Sequence, residues 1–396
     1  MQTLLAISLV LGLVSLVLTF VTHVAVCRAS GRKPKARAWP GISVLKPLKG
    51  VDDGLYDNLA SFARQDYPEF ELLLGCEDPA DPALRVAWKL KRAFPKVRIR
   101  ILAGAAAHGQ NPKVNNLRML SARAEHDCIL ISDASIRARP GYLRAMASEL
   151  GEAKVGLVSS VLVGAGERTL GARLDNLHMN SFVVRAVCGA AVLTSRPCVV
   201  GKSMLMKRSE LEALGGFALV DDVLAEDYVL GERYAAAGFG VALSAYALDS
   251  VSARRTVRDF CARHVRWSQM RRQLSPGIYL LEPLQSPLPF LLAALVLLAG
   301  GAAPSLAEWL VPWVVAGLAL RLCSDGLLGR KLRGARLSAR DYAAIVFKDL
   351  LCIGVWLVGA FKRTVDWRGT SMRIGPGSRL FPLEQHEAHG PALERA

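Results

Sequence analysis

None of the eight cysteines in this 396-residue chain stands in a C-x-x-C pair, the spacing that most often marks a zinc site or a thiol–disulfide motif. Several of them, Cys128 among them, sit inside apolar runs, where a free thiol behaves as a small hydrophobe. A reducing compartment and no zinc site are the expectations. No G-x-G-x-x-G follows the first strand-like run, which excludes the ordinary dinucleotide-binding reading. Gly201-Lys202-Ser203 matches the end of a P-loop, but Arg196 occupies the place of the required earlier glycine, so that reading fails too. Acidic residues are scarce: 34 Asp and Glu against 50 Lys and Arg leave a formal charge of +16. Such an excess suits a phosphate-bearing substrate, an anionic membrane surface or nucleic acid. Basic residues retained beside membrane spans account for it equally well.

Long apolar runs, by contrast, are plentiful, and hydrophobic residues make up 52% of the chain. Leu4 to Cys27 is long enough to cross a bilayer as a helix; no basic residue precedes it, and Arg28, Arg32, Lys33, Lys35 and Arg37 follow. That asymmetry predicts an anchor with the next segment in the cytoplasm; a secretory signal would want a charged start and a shorter core. Leu288 to Ala303 and Trp309 to Cys323 predict a hairpin through the bilayer. Tyr342 to Phe361 has the length of a further span, yet contains Lys348-Asp349, so it is either partnered inside a bundle or re-entrant. Thr256 to Gln273 puts Phe260, His264 and Met270 on one side and Arg258, Arg263, Arg266, Arg271 and Arg272 around the rest, an amphipathic helix for the membrane interface.

Between these segments short apolar runs alternate with helical spacing. Ile42 to Leu45, Phe70 to Leu74 and Val97 to Leu102 read as strands, with helices around Leu55 to Phe62 and over Ala83 to Phe94. This rhythm predicts an α/β domain with a mostly parallel sheet. Cys128 to Ile131 is a further buried strand, and it stops abruptly at Ser132-Asp133. Ligands of open α/β sheets bind beyond the carboxyl ends of the strands, so Asp133 is a candidate site residue as well as a candidate turn residue. Asp78 stands at the end of the second strand in the same way, although Asp-Pro also opens turns. Asn111 to Leu117 opens a helix whose Lys113 suits a diphosphate, or whose Asn111 is simply a cap. Glu226-Asp227 begins another helix, where acids either complement the dipole or supply a general base. Arg263-His264-Val265-Arg266-Trp267 sets arginines, which pair with phosphate, beside an indole able to stack on a ring. The interval 164–200 is the least legible; acceptor contacts are expected there.

Taken in order, Asp78, Asp133, Asp227 and Arg263-x-x-Arg266-Trp267 resemble the ceramide glucosyltransferase family, membrane-bound glycosyltransferases with the signature D, D, D, (Q/R)-x-x-R-W. LKPLKGVD from Leu45, NPKVNNL from Asn111, SDASIR from Ser132 and AEDY from Ala225 match as well. The resemblance implies a glycosyltransferase-A fold: an anchor over 1–27, a catalytic domain over 38–250, interfacial helices over 251–285 and membrane segments from 286 onward. It implies Asp78 on the nucleotide, Asp133 on a divalent cation (Mg2+ or Mn2+) at the UDP diphosphate, and Asp227 as the base. Lys113, Arg263, Arg266 and Trp267 would hold the UDP-sugar donor and a lipid acceptor, ceramide or similar. The expected reaction is inverting transfer of glucose at the cytoplasmic face of a bilayer, with no nucleic-acid partner. Ser135 replaces the second acid of a D-x-D metal motif, and the histidine of animal members falls near Val183. LAEDYVLG from Leu224 also resembles hopanoid-glycosylating relatives, and processive polysaccharide synthases share the order of the motifs.

Overall fold

The strand-like runs become strands because they are buried on both faces and alternate between two apolar layers. Ile42, Val44, Leu72, Leu74, Leu130 and Leu205 pack into one layer. Leu45, Leu73, Ile129, Ile131, Met204 and Met206 pack into the other. Successive residues of a strand point to opposite faces, so an uninterrupted apolar run fills both layers at once. The structure, a computed structural model, describes residues 1–30, 39–193, 199–367 and 370–383. Arg32, Lys33, Lys35, Arg37 and Arg196, on which expectations above rest, lie outside the described residues.

In chain order the elements are α1 (Gln2–Ala29), β1 (Ile42–Leu48), α2 (Leu55–Ala63), β2 (Phe70–Cys76), α3 (Ala83–Ala93), β3 (Arg98–Ala103), α4 (Pro112–Ser121), β4 (Cys128–Ser132) and β5 (Ile136–Arg137). They continue with α5 (Tyr142–Leu150), β6 (Val155–Ala165), α6 (Leu170–His178), a π-helical turn (Met179–Val183), α7 (Val184–Leu193), β7 (Ser203–Lys207), α8 (Arg208–Ala213), α9 (Glu226–Ala236) and β8 (Gly240–Val251). The last are α10 (Val257–Leu274), α11 (Pro276–Leu281), α12 (Leu288–Ala299), α13 (Ala307–Arg333), α14 (Ala339–Phe361), β9 (Thr364–Trp367), β10 (Thr370–Ile374) and β11 (Leu380–Pro382). An eight-stranded sheet has the order β3-β2-β1-β4-β7-β6-β8-β5. Its first four strands are mutually parallel, and β7 enters antiparallel between β4 and β6. This is the α/β sheet that the sequence predicts.

Three helices are long and apolar enough to cross a membrane, α1, α14 and the segment Pro304–Arg333 that contains α13. The far half of α1 packs on α12 and α13 through Leu5, Leu291, Leu298 and Val314. Its near half packs on β6 and the end of α13 through Ala25, Val26, Val161, Val163 and Leu328. The two apolar runs of the expected hairpin are adjacent packed helices; α12 has only 12 residues and follows a bend of 56° from the preceding helical segment. At about 1.5 Å per residue it falls short of a hydrocarbon core of about 30 Å.

α14 packs against the helices of the catalytic domain. Asp341, in its first turn, pairs with Arg173 of α6. Just past its other end, the Lys362 carbonyl accepts a hydrogen bond from Gln269 of α10 at 2.8 Å. Between these points it runs along α10, with Phe260 beside Ala344 and Ile345, and Ser268 against Gly359. α10 carries five arginines. Phe347, Leu350, Leu357, Val358 and Phe361 form an exposed apolar stripe on α14. Lys348-Asp349 is buried, and both residues have partners: Lys348 donates to Asp349, and Asp349 also meets Arg321 at 3.0 Å.

Beyond α14, β9–β11 form a small sheet that returns to the catalytic domain. Leu224 N–H donates to the Ser378 carbonyl at 2.9 Å, Leu380 N–H to the Asp222 carbonyl at 2.7 Å, and Ala225 N–H to Ser378 Oγ at 2.8 Å.

Candidate active site

At the carboxyl edge of the sheet β4 ends where antiparallel β7 begins, with Ser132 opposite Ser203. Their flanking residues are thereby joined, and Asp133 N–H donates to the Lys202 carbonyl at 3.2 Å. Asn111 caps α4, accepting from Lys113 N–H at 3.0 Å and Val114 N–H at 3.2 Å while its amide donates to the Val223 carbonyl at 2.6 Å. The cap thus ties α4 to the loop before α9 and aims Lys113 between them. Lys113 Nζ lies 2.9 Å from Asp133 Oδ1 and 2.7 Å from Glu226 Oε1, and donates to the Gly201 carbonyl at 3.0 Å. Asp227 accepts from Gly201 N–H at 2.5 Å and from Tyr228 N–H at 2.8 Å. Only glycine fits at 201, because a Cβ there would come within 2.8 Å of the Asp227 side chain.

Charge and burial set the protonation of this cluster. Burial alone would lower the Lys113 ammonium, but Asp133 and Glu226 more than offset it and hold it above its ordinary value. Burial raises Asp133, yet Lys113 and Lys202 pull it below the usual carboxylate range. Burial pushes Glu226 up to about 7, against the pull of Lys113. It also raises Asp227, although Lys113 and two backbone N–H groups resist. A carboxylate of raised pKa is the stronger base. Of this pair Glu226 is buried and committed to Lys113, while Asp227 remains partly open to the cleft.

The other expected residues are placed differently. Asp78 is exposed and its carboxylate accepts from Ala80 N–H at 2.8 Å, the geometry of a turn; among the described residues no hydrogen bond or ion pair joins it to the cluster. Arg263 donates to Asp175 at 3.0 Å, and its guanidinium stacks over the Trp267 ring at 4.4 Å. Asp175 also takes His264 at 2.9 Å and Arg255 at 3.5 Å, which makes it a buried hub under the R-x-x-R-W segment. Arg266 reaches the Asp366 carbonyl of β9 at 3.4 Å. Sequence reasoning missed Asp175 and Lys202 as site residues, and it named Glu226 only together with Asp227 as a candidate base. Lys202 belonged to the rejected P-loop match and reaches the site only through strand pairing.

A divalent cation is tested by the donor set. Among the described residues no three His, Cys, Asp or Glu side chains group as metal ligands. Asp133 Oδ1 is taken by Lys113, while Oδ2 has no bonding partner among the described residues, and the side chain is 28% exposed. One carboxylate oxygen facing a phosphate-bearing ligand fits Mg2+, which is usually held by one or two carboxylates plus substrate phosphates.

A mostly parallel sheet with a carboxylate and lysine cluster at its carboxyl edge defines a glycosyltransferase of the glycosyltransferase-A type. In keeping with this, the mannosyltransferase PcManGT from Pyrobaculum calidifontis, solved with GDP-Man and Mn2+, superposes with a TM-score of 0.53 at 18% identity over 90% of this chain and 99% of that one. The chain belongs to glycosyl transferase family 21, whose profile matches residues 7–380. It is 26% identical over 347 residues to ceramide glucosyltransferase 3 of Caenorhabditis elegans, covering 87% of this chain and 74% of that protein. It is 32% identical over 252 residues to ceramide glucosyltransferase 1 of the same organism, covering 62% of this chain and 53% of that protein. The resemblance carried by the motifs is thus borne out, and the chain is a glycosyltransferase whose curated relatives act on a lipid.

Proposed function

We infer that this protein transfers a sugar, glucose foremost, from a UDP-sugar to the hydroxyl of a membrane lipid, ceramide or similar, with inversion at the anomeric carbon. The observation that supports this reading is the meeting of Lys113, Asp133, Glu226 and Asp227, from three separate chain regions, at one carboxyl edge. The surrounding membrane helices and the exposed apolar stripe of α14 would present a lipid to it.

In this scheme Asp227 takes the proton of the lipid hydroxyl as its oxygen bonds to the anomeric carbon. The bond from that carbon to the diphosphate breaks, and UDP leaves with the electron pair. One displacement with one base inverts the centre and needs no carboxylate nucleophile. Lys113 fixes Asp133 and Glu226 in place and contributes positive charge beside the departing diphosphate. A divalent cation, Mg2+ or Mn2+, would be held at Asp133 and would supply further charge stabilisation to that group. Asp78 would meet the nucleotide, and Arg263, Arg266 and Trp267 would order donor and acceptor around the Asp175 hub. The catalytic domain would face the cytoplasm.

Incubating purified protein in lipid nanodiscs with a panel of UDP-sugars and extracted lipids, followed by mass spectrometry of the products, tests the reading. A single hexose added to a lipid is expected, with ceramide and hopanoid acceptors compared side by side. A product ladder would indicate a processive synthase instead, and no consumption of any UDP-sugar by folded protein would overturn the reading.

A further inference from the structure

Lys202 takes no part in the scheme above, yet it is the more unusual of the two cleft lysines. Its ammonium donates to Ser135 Oγ at 3.1 Å and to Ser250 Oγ at 2.9 Å. No carboxylate lies within ion-pair distance of it among the described residues, whereas Lys113 is held by two. An ammonium has three donors, and here two of them are spent on neutral hydroxyls. Enclosing a cation without a counter-charge is costly. Arg263 and Arg255 add to the positive field around it, and their charge is shared on a single acid, Asp175. This corner of the cleft is therefore short of negative charge.

The position within the fold names what would supply that charge. Lys202 precedes β7, and its carbonyl accepts from Asp133 N–H, so its side chain leaves the edge where the expected diphosphate lies. The hydroxyl it grips, Ser135, is the residue that stands where a D-x-D motif has its second acid. An acid at that position holds a metal against the phosphates. Here a serine presents an ammonium to the same place.

We propose that Lys202 binds the diphosphate of the nucleotide-sugar donor directly, a protein cation held by Ser135 and Ser250 where the second metal-binding acid is missing. The proposal rests on the donor reading above and adds to it a residue and a consequence. Donor affinity depends on this lysine, and depends less on added divalent cation than it would with an intact D-x-D motif.

Calorimetric titration of UDP and of uridine into the full chain in nanodiscs, with EDTA or with excess magnesium, tests this. Wild type is expected to bind UDP in EDTA. Lys202→Met should weaken UDP by roughly 10- to 100-fold in EDTA, the worth of a charged hydrogen bond, and leave uridine unchanged. Lys202→Arg should recover most of the loss. Ser135→Asp added to Lys202→Met should make UDP binding respond to magnesium. UDP binding by Lys202→Met within about threefold of wild type would overturn the proposal alone. So would equal losses for uridine and UDP, which would mean a structural role. Wild type that binds no UDP in either buffer would overturn the donor reading, and the role of Lys202 with it.

Discussion

The cluster of ions at the sheet edge contrasts with another among the helices beneath it. In the lower cluster Arg185 pairs with Asp325 at 2.7 Å, Arg321 with Asp325 and with Asp349 at 3.0 Å, and Lys348 with Asp349. All five side chains are at most 4% exposed. The upper cluster keeps Asp133 28% and Lys113 16% exposed, and it joins charges by single contacts. The lower cluster sets three cations, Arg185, Arg321 and Lys348, against two acids and is closed to solvent. The upper one is partly open. Burial alone does not mark a site: both clusters hold unequal charge, and the one with exposed groups is the one that a ligand can reach.

Breaking the upper cluster should cost activity without stability. Asp227→Asn is expected to lower transfer by roughly 10²- to 10⁴-fold, the usual contribution of a general base. UDP binding and the thermal midpoint should stay near wild type. Full transfer in that variant would remove Asp227 from the base role.

Breaking the lower cluster should do the reverse. Arg321→Met takes one partner from Asp325 and one from Asp349, which keep Arg185 and Lys348, and lost hydrogen bonds between buried groups of this kind cost about 1–3 kcal/mol. Thermal unfolding in nanodiscs should show a large fall. Specific activity per folded molecule should change little, and a loss of activity at unchanged stability would mean that this cluster also serves the chemistry.

A subtler difference lies in pH. Burial raises Glu226 from 4.5 to about 7, so between those values the folded protein keeps a proton that the unfolded chain has released. Its contribution to stability is full below 4.5 and fades as pH rises through about 7. Glu226→Gln should reduce the fall in thermal midpoint between pH 5 and pH 8, leaving the smaller share of Asp227, which burial also raises. An unaltered slope would show that Glu226 does not titrate there. Smallest of all, Ser378→Ala removes the hydrogen bond to Ala225 N–H and should cost about 1 kcal/mol, with a loss in kcat rather than in UDP affinity. Loss of UDP affinity instead would give the small sheet a donor-binding role.

Much of the upper region was legible in sequence because its signals are local. Cys128 to Ile131 had to be a buried strand, and an acid following it had to lie at the sheet edge, so Asp133 could be assigned. A helix start marked Asp227 as a candidate and the turn at Asn111 marked Lys113, and the resemblance in motif order singled out Asp227 as the base. Lys202 was illegible because only the antiparallel pairing of β4 with β7 brings it beside Asp133, and β7 interrupts an otherwise parallel rhythm. Asp175 was hidden in the stretch where helical spacing gives way to a π-helical turn. For α14, composition predicts the helix but not its neighbours. The contacts that place it, Asp341 with Arg173 and Lys362 with Gln269, join residues 168 and 93 positions apart.

The small sheet of β9–β11 has a consequence for biogenesis. Ser378 braces Ala225, 153 positions earlier, at the very start of the helix that bears Asp227. During synthesis the first four strands of the sheet emerge first, then the apolar helices α12–α14, and only afterwards do the strands that brace Ala225. A polypeptide halted after α14 would carry the sheet and the apolar helices while the start of α9 stayed unbraced, so the sheet-edge cluster would be completed last.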